Sequence, residues 1–176
     1  MKRLSHCLDF MRAGIERVAA RMPSMPGNDV LLVRLLMMSG NTVADELENL
    51  LRPHGLNESE FRTLVILFSS PNGSAFPSEL CQFATQKPTN MTRITNDLVE
   101  RGLITRMPSE QDRRRVVLSI TEQGRQFARR LLPILFPSVS ALLTGFTDKE
   151  KGELGRLLTK LVHNLDNLLE TRGAPT

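Results

Sequence analysis

The hydrophobic periodicity of the chain changes from helical to extended within residues 86–120. Between residues 86 and 101 the apolar positions fall on one helical face, namely Met91, Ile94 and Leu98. Gly102 follows at a position typical of a helix C-terminus. Two short apolar runs, 103–107 and 116–120, read as strands, and a polar, arginine-rich segment joins them. A helix followed by two strands with a basic tip predicts a winged helix-turn-helix.

Helical patterns occupy the chain on both sides of this segment. We expect helices at 1–22, at about 30–51, from 57 or 59 to about 70, at 77–84, at 122–143 and from 147 onward. Asn28 or Asp29 is expected to cap the second helix, and Pro133 with Pro137 to kink the sixth. The leucine-rich stripes at 131–143 and 154–169 are too apolar for water, so a second copy of the chain is the simplest partner.

These patterns together predict a mainly α fold with a small β-hairpin wing. Residues 1–50 and 126–176 would form a helical dimerisation region from both chain ends. Residues 51–125 would form the winged helix-turn-helix domain that binds DNA. No apolar stretch is long enough to cross a bilayer and no secretory segment opens the chain, so we expect a cytoplasmic protein without a membrane partner.

The positive charge of the chain is concentrated around the predicted wing. Residues 86–130 contain ten basic and five acidic residues, whereas the whole 176-residue chain has a net charge of only +4. The rest of the chain is therefore slightly acidic. The basic excess lies in one segment, as expected for a surface that binds phosphate. The chain has no Trp or Tyr, which argues against binding of single strands on aromatic stacking platforms. Double-stranded DNA is the expected partner.

Catalytic and metal-binding patterns are missing from the sequence. Cys7 and Cys81 are too few for a disulfide framework or a zinc site, and the three histidines are far apart. No phosphate-binding loop, nucleophile elbow or zinc-protease motif occurs. We therefore expect no enzymatic activity, no cofactor and no metal. Cys81 is expected to lie in the core.

The chain resembles the MarR family of bacterial transcription regulators, nearest to its multidrug-sensing EmrR (MprA) branch. The matching segments are Leu-Leu-Val-Arg-Leu at 31–35, His-Gly-Leu-Asn-Glu at 54–58, Pro-Ser-Glu-Leu at 77–80, Thr-Asn-Met-Thr-Arg-Ile at 89–94, Glu-Arg-Gly-Leu-Ile at 100–104 and the Asp-Arg-Arg to Thr-Glu-Gln-Gly stretch at 112–124. The resemblance implies a homodimer of winged helices that represses from a palindromic operator and is released by a small lipophilic or aromatic ligand. Pro88 departs from related branches, so their operator sequence does not carry over.

The candidate DNA contacts lie on the predicted recognition helix and on the wing. Thr89, Asn90 and Arg93 are expected to read base edges, because asparagine pairs well with adenine and arginine with guanine. Lys87 is expected to contact phosphate, and Arg113 with Arg114 to enter the minor groove from the wing tip. The resemblance implies that Asp112 pairs with Arg114 and stabilises the wing.

A candidate effector pocket centres on Arg34, which interrupts the apolar run from Val30 to Met38. Its neighbours one and two turns on are Met37, Met38 and Asn41. A guanidinium beside thioethers suits a lipophilic weak acid, although Arg34 on the surface or paired with a carboxylate is the plainer interpretation. Two other functions remain open: redox sensing through Cys7, and a helical adaptor whose winged helix binds protein.

Overall fold

The computed structural model describes residues 4–109, 112 and 115–173. The chain divides into two compact units, Met1–Gln126 and Phe127–Thr176. The first unit contains five helices, a small sheet and the start of a sixth helix. The second contains the rest of that helix and the last one. A mainly α fold with a small β wing is confirmed.

The helices of the first unit are α1 (Leu4–Arg21), α2 (Gly27–Leu51), α3 (Glu58–Ser69), α4 (Pro77–Phe83) and α5 (Pro88–Glu100), with a 3₁₀ turn at Arg52–His54. The start of α2 differs from the prediction, because the residue preceding it is Pro26 and no side chain caps it. The proposed caps, Asn28 and Asp29, lie inside the first turn. Proline fixes φ near the helical value, so a helix can begin directly after it without a side-chain acceptor.

A reciprocal capping box opens α3. The Asn57 side chain accepts from the Glu60 backbone N–H at 2.9 Å, and the Glu60 carboxylate accepts from the Asn57 N–H at 3.0 Å. This satisfies two amide groups that no helical carbonyl can reach. The 3₁₀ turn before α3 ends at Gly55, whose φ of 69° lies in the left-handed region that favours glycine. Sequence-local signals therefore position α3 correctly.

The sheet has three strands, one more than the predicted hairpin. Strands β2 (Ile104–Pro108) and β3 (Val116–Ile120) form the hairpin, and β1 (Ser74–Ala75) pairs antiparallel with the other edge of β3. Ala75 pairs with Leu118, which pairs on its other side with Arg106. A two-residue strand is too short to show any period, so only its partner reveals it.

The core of the first unit joins the helices to the wing sheet. Its fully buried side chains come from every layer: Leu51, Leu64, Leu67, Leu80, Met91, Ile94, Leu98, Ile104 and Leu118. The predicted stripe of α5 is thus entirely buried. Cys81 is only half-buried, which corrects the expectation of a core cysteine. Its helix has only seven residues, and Leu80 occupies the inward position instead.

The last two helices are α6 (Glu122–Leu142), which runs through Pro133 and Pro137, and α7 (Asp148–Gly173). A capping box opens α7, as the spacing of Thr147 and Glu150 in the sequence favours. The Glu150 carboxylate accepts from the Thr147 N–H at 2.8 Å, and the Thr147 hydroxyl accepts from the Glu150 N–H at 3.3 Å. Bonds from the Thr147 backbone and hydroxyl lower the pKa of Glu150. Seven large apolar side chains of α7 remain 37–64% exposed: Leu154, Leu157, Leu158, Val162, Leu165, Leu168 and Leu169.

Candidate nucleic-acid interface

The outer face of α5 is a row of polar side chains opposite the buried stripe. Thr89, Thr92, Arg93 and Asn96 are exposed, and Asn90 is half-buried. Lys87 is exposed at the N-cap position, directly before Pro88. The structure therefore brings the predicted base-reading residues together on one helical face. Thr92 and Asn96 belong to the same face, and their helical spacing already indicates it.

Hydrogen bonds join these side chains along the helix. The Arg93 guanidinium donates to Asn90 Oδ1 at 3.1 Å and to Asp97 Oδ2 at 3.2 Å. The side chains of Arg93 and Asp97 are 58% and 38% exposed. Such a water-exposed ion pair contributes little to stability, so DNA groups can replace it at low cost. Arg93 is thus ordered along the helix and still available to a ligand.

Two arginines connect the base of the wing to the helices. Arg106 on β2 donates to the buried Thr95 hydroxyl of α5 at 2.7 Å. The Arg115 guanidinium lies 3.8 Å from the centre of the Phe76 ring, in a cation–π contact. The first contact holds the hairpin beside α5, and the second holds it beside the start of α4. Neither contact was predictable from local spacing, because Thr95 and Phe76 both lie outside the hairpin.

The wing tip itself is described only in part. Arg113 and Arg114 lie outside the described residues, and so does the predicted pairing of Asp112 with Arg114. Asp112 is exposed, and its carbonyl accepts from the Arg115 N–H at 2.9 Å. The Ser109 N–H donates to the Arg115 carbonyl at 2.8 Å and closes the loop. The backbone of Asp112 therefore helps to shape the wing.

Some of the arginines in the basic segment make contacts within the protein that stabilise the fold. The Arg101 guanidinium donates to the carbonyls of Gly55 and His54 and lies 3.9 Å from the Glu60 carboxylate. Arg125 is packed over Gly73, where an added Cβ would approach its guanidinium to 2.0 Å. A charge count cannot separate these arginines from those that face solvent, because the distinction depends on partners distant in sequence.

A second concave surface lies between α1 and α2. This groove has a volume of about 720 Å³, and Arg34, Met37, Met38 and Asn41 all line its α2 side. No ion pair joins Arg34 to a carboxylate in the part of the chain that the structure describes. Its α1 side was not predicted, because residues 1–50 were expected to serve the dimer interface. That side is lined by Cys7, Phe10, Met11, Gly14, Ile15 and Val18. The exposed Cys7 therefore lies at the same groove.

Sequence comparison links this architecture to known proteins. The MarR family profile matches residues 56–116, from the start of α3 to the second wing strand. The transcriptional repressor MprA of Escherichia coli strain K12 is 35% identical over 150 residues, which cover 85% of each chain. The chain belongs to the MarR family. Its relatives regulate transcription and are not enzymes, in agreement with the expectation of no catalytic activity.

Solved MarR-family structures share the fold. AbsC, a MarR family regulator from Streptomyces coelicolor, superposes with a TM-score of 0.74 at 22% identity, covering 81% of this chain and 97% of that one. Sco3205 from the same organism, solved in complex with DNA, gives 0.73 at 21% identity and covers 80% and 89%. Among the described residues of this MarR-family chain, no helix is both long and apolar enough to span a membrane.

Proposed function

We propose that the protein is a homodimeric transcriptional repressor that binds a palindromic DNA operator and is released by a small lipophilic or aromatic acid. The observation that carries DNA binding is the polar face of α5 beside a wing whose base is fixed to that helix. The relative MprA is a transcriptional repressor, which supports repression as the direction of regulation. Sco3205, which has the same fold, was solved in complex with DNA and supports the ligand class.

In this proposal each subunit inserts α5 into a major groove and its wing into the flanking minor groove. Lys87 contacts phosphate, Thr89, Asn90 and Arg93 contact bases, and Arg113 with Arg114 contact the minor groove. The two half-sites lie about one helical turn, ~10 bp, apart. Residues 1–50 and 126–176 supply the dimer interface. The exposed apolar face of α7 supports this role, because water is a poor neighbour for seven large apolar side chains.

Arg93→Ala is expected to weaken operator binding by ~1–3 kcal/mol and to relax base preference at one position of each half-site. The reason is that a guanidinium reads guanine through two parallel hydrogen bonds, which alanine cannot make. Fluorescence anisotropy with the operator, with base-substituted operators and with random duplex measures both effects. Arg113→Ala and Arg114→Ala serve as contrasting variants that weaken all duplexes alike. Equal losses for Arg93→Ala on operator and random DNA would contradict base reading.

The groove between α1 and α2 is the proposed effector site. Arg34 would bind the carboxylate of the ligand, and Met37 and Met38 would contact its apolar ring, while Asn41 lines the same wall. Ligand binding weakens DNA binding only if the ligand prefers a dimer in which the two α5 helices are wrongly spaced for the operator. A coupling of ~1–3 kcal/mol corresponds to roughly 5–150-fold weaker operator binding.

Arg34→Ala is therefore expected to reduce the affinity for an aromatic carboxylate such as salicylate at least about tenfold, since a charge-assisted pair is lost. Titration of salicylate and of lipophilic uncouplers into the operator complex measures release. Arg12→Ala is the matched control, because Arg12 is an exposed arginine of α1 that does not line the groove. If salicylate releases the Arg34→Ala protein from the operator as readily as the wild type, the proposed pocket is refuted. The proposal of DNA binding would still stand.

A further inference from the structure

One half-buried side chain, that of Gln86, ties the exposed face of α5 to the start of α3. Gln86 lies in the turn between α4 and α5, and its backbone N–H donates to the Cys81 carbonyl at 2.8 Å. Its Nε2 donates to the Ser59 hydroxyl oxygen at 3.1 Å, and its Oε1 accepts from the Asn90 amide. Both ends of the Gln86 amide are therefore engaged, one with α3 and the other with α5.

The turn holds Gln86 in a defined backbone position. Thr85, directly before it, has a φ of 54°, a conformation that residues with a side chain rarely adopt. The Thr85 N–H donates to the Gln82 carbonyl at 3.2 Å. With the bond from Gln86 to Cys81, this anchors both residues of the turn on α4. The position of the Gln86 side chain is thus set by the end of α4 and by Ser59.

Gln86 and the donor-only guanidinium of Arg93 together fix which way the amide of Asn90 faces. Asn90 Nδ2 donates to Gln86, which leaves Oδ1 to accept from Arg93 Nη2 at 3.1 Å. If the Asn90 amide rotated by 180°, its NH₂ group would face the Arg93 donors and its oxygen would face the Gln86 oxygen. Two attractive contacts would become two repulsive ones. The hydrogen bonds are therefore all donated in one direction, from Arg93 to Asn90, from Asn90 to Gln86 and from Gln86 to Ser59.

We propose that Gln86 is a positioning residue for base recognition, which orders Asn90 and through it Arg93 without touching DNA itself. The inference rests on the proposed function, because it concerns the same base-reading face. An unrestrained arginine on a helix surface samples many rotamers, and ordering it upon binding costs free energy. A side chain already held by a network loses less entropy when it meets the correct base, which sharpens the difference between correct and incorrect sequences.

The test begins with a duplex selected by the full-length wild-type protein from a random-sequence library. Selection with Arg93→Ala identifies the base positions that depend on Arg93. Gln86→Ala is expected to reduce the preference at those same positions about fivefold, the effect of losing one ordinary hydrogen bond. Its affinity for a random-sequence duplex should remain within about twofold of wild type, since no phosphate contact is removed.

Two further variants separate positioning from a general loss of structure. Ser59→Ala removes the far partner of Gln86 at a half-buried helical site where alanine is a favourable residue. It should reduce base preference at the same positions as Gln86→Ala. Gln86→Glu keeps an oxygen that accepts from Asn90 and from the Ser59 hydroxyl, so base preference should recover even if the added negative charge lowers overall affinity. Gln82→Ala, the same change at an exposed position of α4, is the matched control and should have no effect.

The possible outcomes distinguish the inference from the function on which it rests. Wild-type base preference in both Gln86→Ala and Ser59→Ala would overturn the positioning role while the DNA-binding proposal stands. A uniform loss of affinity on all duplexes, without a change in preference, would likewise overturn it. Failure of the wild-type protein to select any sequence would refute the proposed function and the inference with it. If Gln86→Ala does not fold, as judged by circular dichroism, the result for Ser59→Ala decides.

Discussion

Replacing Leu158 and Leu165 of α7 with glutamate is expected to convert the proposed dimer into monomers and to weaken operator binding more than about 100-fold. Both leucines are exposed in the single chain, at 41% and 47%. Burial of one leucine contributes about 1.5–3 kcal/mol, and the symmetry of a dimer doubles the number of positions lost. A charge placed in such an interface adds a desolvation cost. Sedimentation velocity measures the dimer, and anisotropy measures operator binding.

The matched control places the same charges on the other side of α7. Each residue turns an α-helix by 100°, so residues two positions before and after Leu165 lie on the opposite face. These are His163 and Asn167, which are also exposed. The variant carrying His163→Glu and Asn167→Glu should remain dimeric. A Leu158→Glu, Leu165→Glu protein that stays dimeric and binds the operator normally would refute an α7 interface.

Gly124→Ala is expected to destabilise the protein by roughly 3 kcal/mol, although alanine is the better helix former. Gly124 lies in the first turn of α6, and a Cβ there would stand 2.1 Å from the Leu103 carbonyl oxygen and 2.9 Å from Ile120. Leu103 cannot easily move, because its carbonyl accepts from the Thr121 N–H at 3.0 Å and the Thr121 hydroxyl at 3.1 Å. Urea unfolding followed by circular dichroism measures the loss.

The opposite sign is expected for Gly152→Ala in α7. An added Cβ at Gly152 meets no atom within 4 Å. Gly152 lies two residues before Leu154 and thus on the face opposite the exposed leucines. The change should stabilise the protein by about 0.5–1 kcal/mol, because alanine loses less backbone entropy than glycine in a helix. If both variants instead stabilise the protein, helix propensity outweighs the close contact at Gly124.

Features that depend on neighbours within one or two turns were predictable from the sequence. The buried stripe of α5, the capping boxes at Asn57 and Thr147 and the two hairpin strands all follow from local spacing. The polar face of α5 was predictable for the same reason, since it is simply the side opposite the buried stripe. Gly124 belongs to a matching family motif, but local spacing does not explain why glycine is needed there. The reason is the close approach of the Leu103 carbonyl, 21 residues away.

Local pattern therefore accounts for the helices, the two hairpin strands and the helical face that carries Thr89, Asn90 and Arg93. Tertiary structure decided which charges remain available for DNA and which residues share a groove. Arg101 reaches carbonyls 46 and 47 residues away, and β1 exists only because β3 pairs with it. Arg34 meets Cys7 and Phe10 at one surface only after α1 folds against α2. Periodicity records the environment along one element, whereas these contacts depend on how separate elements pack together.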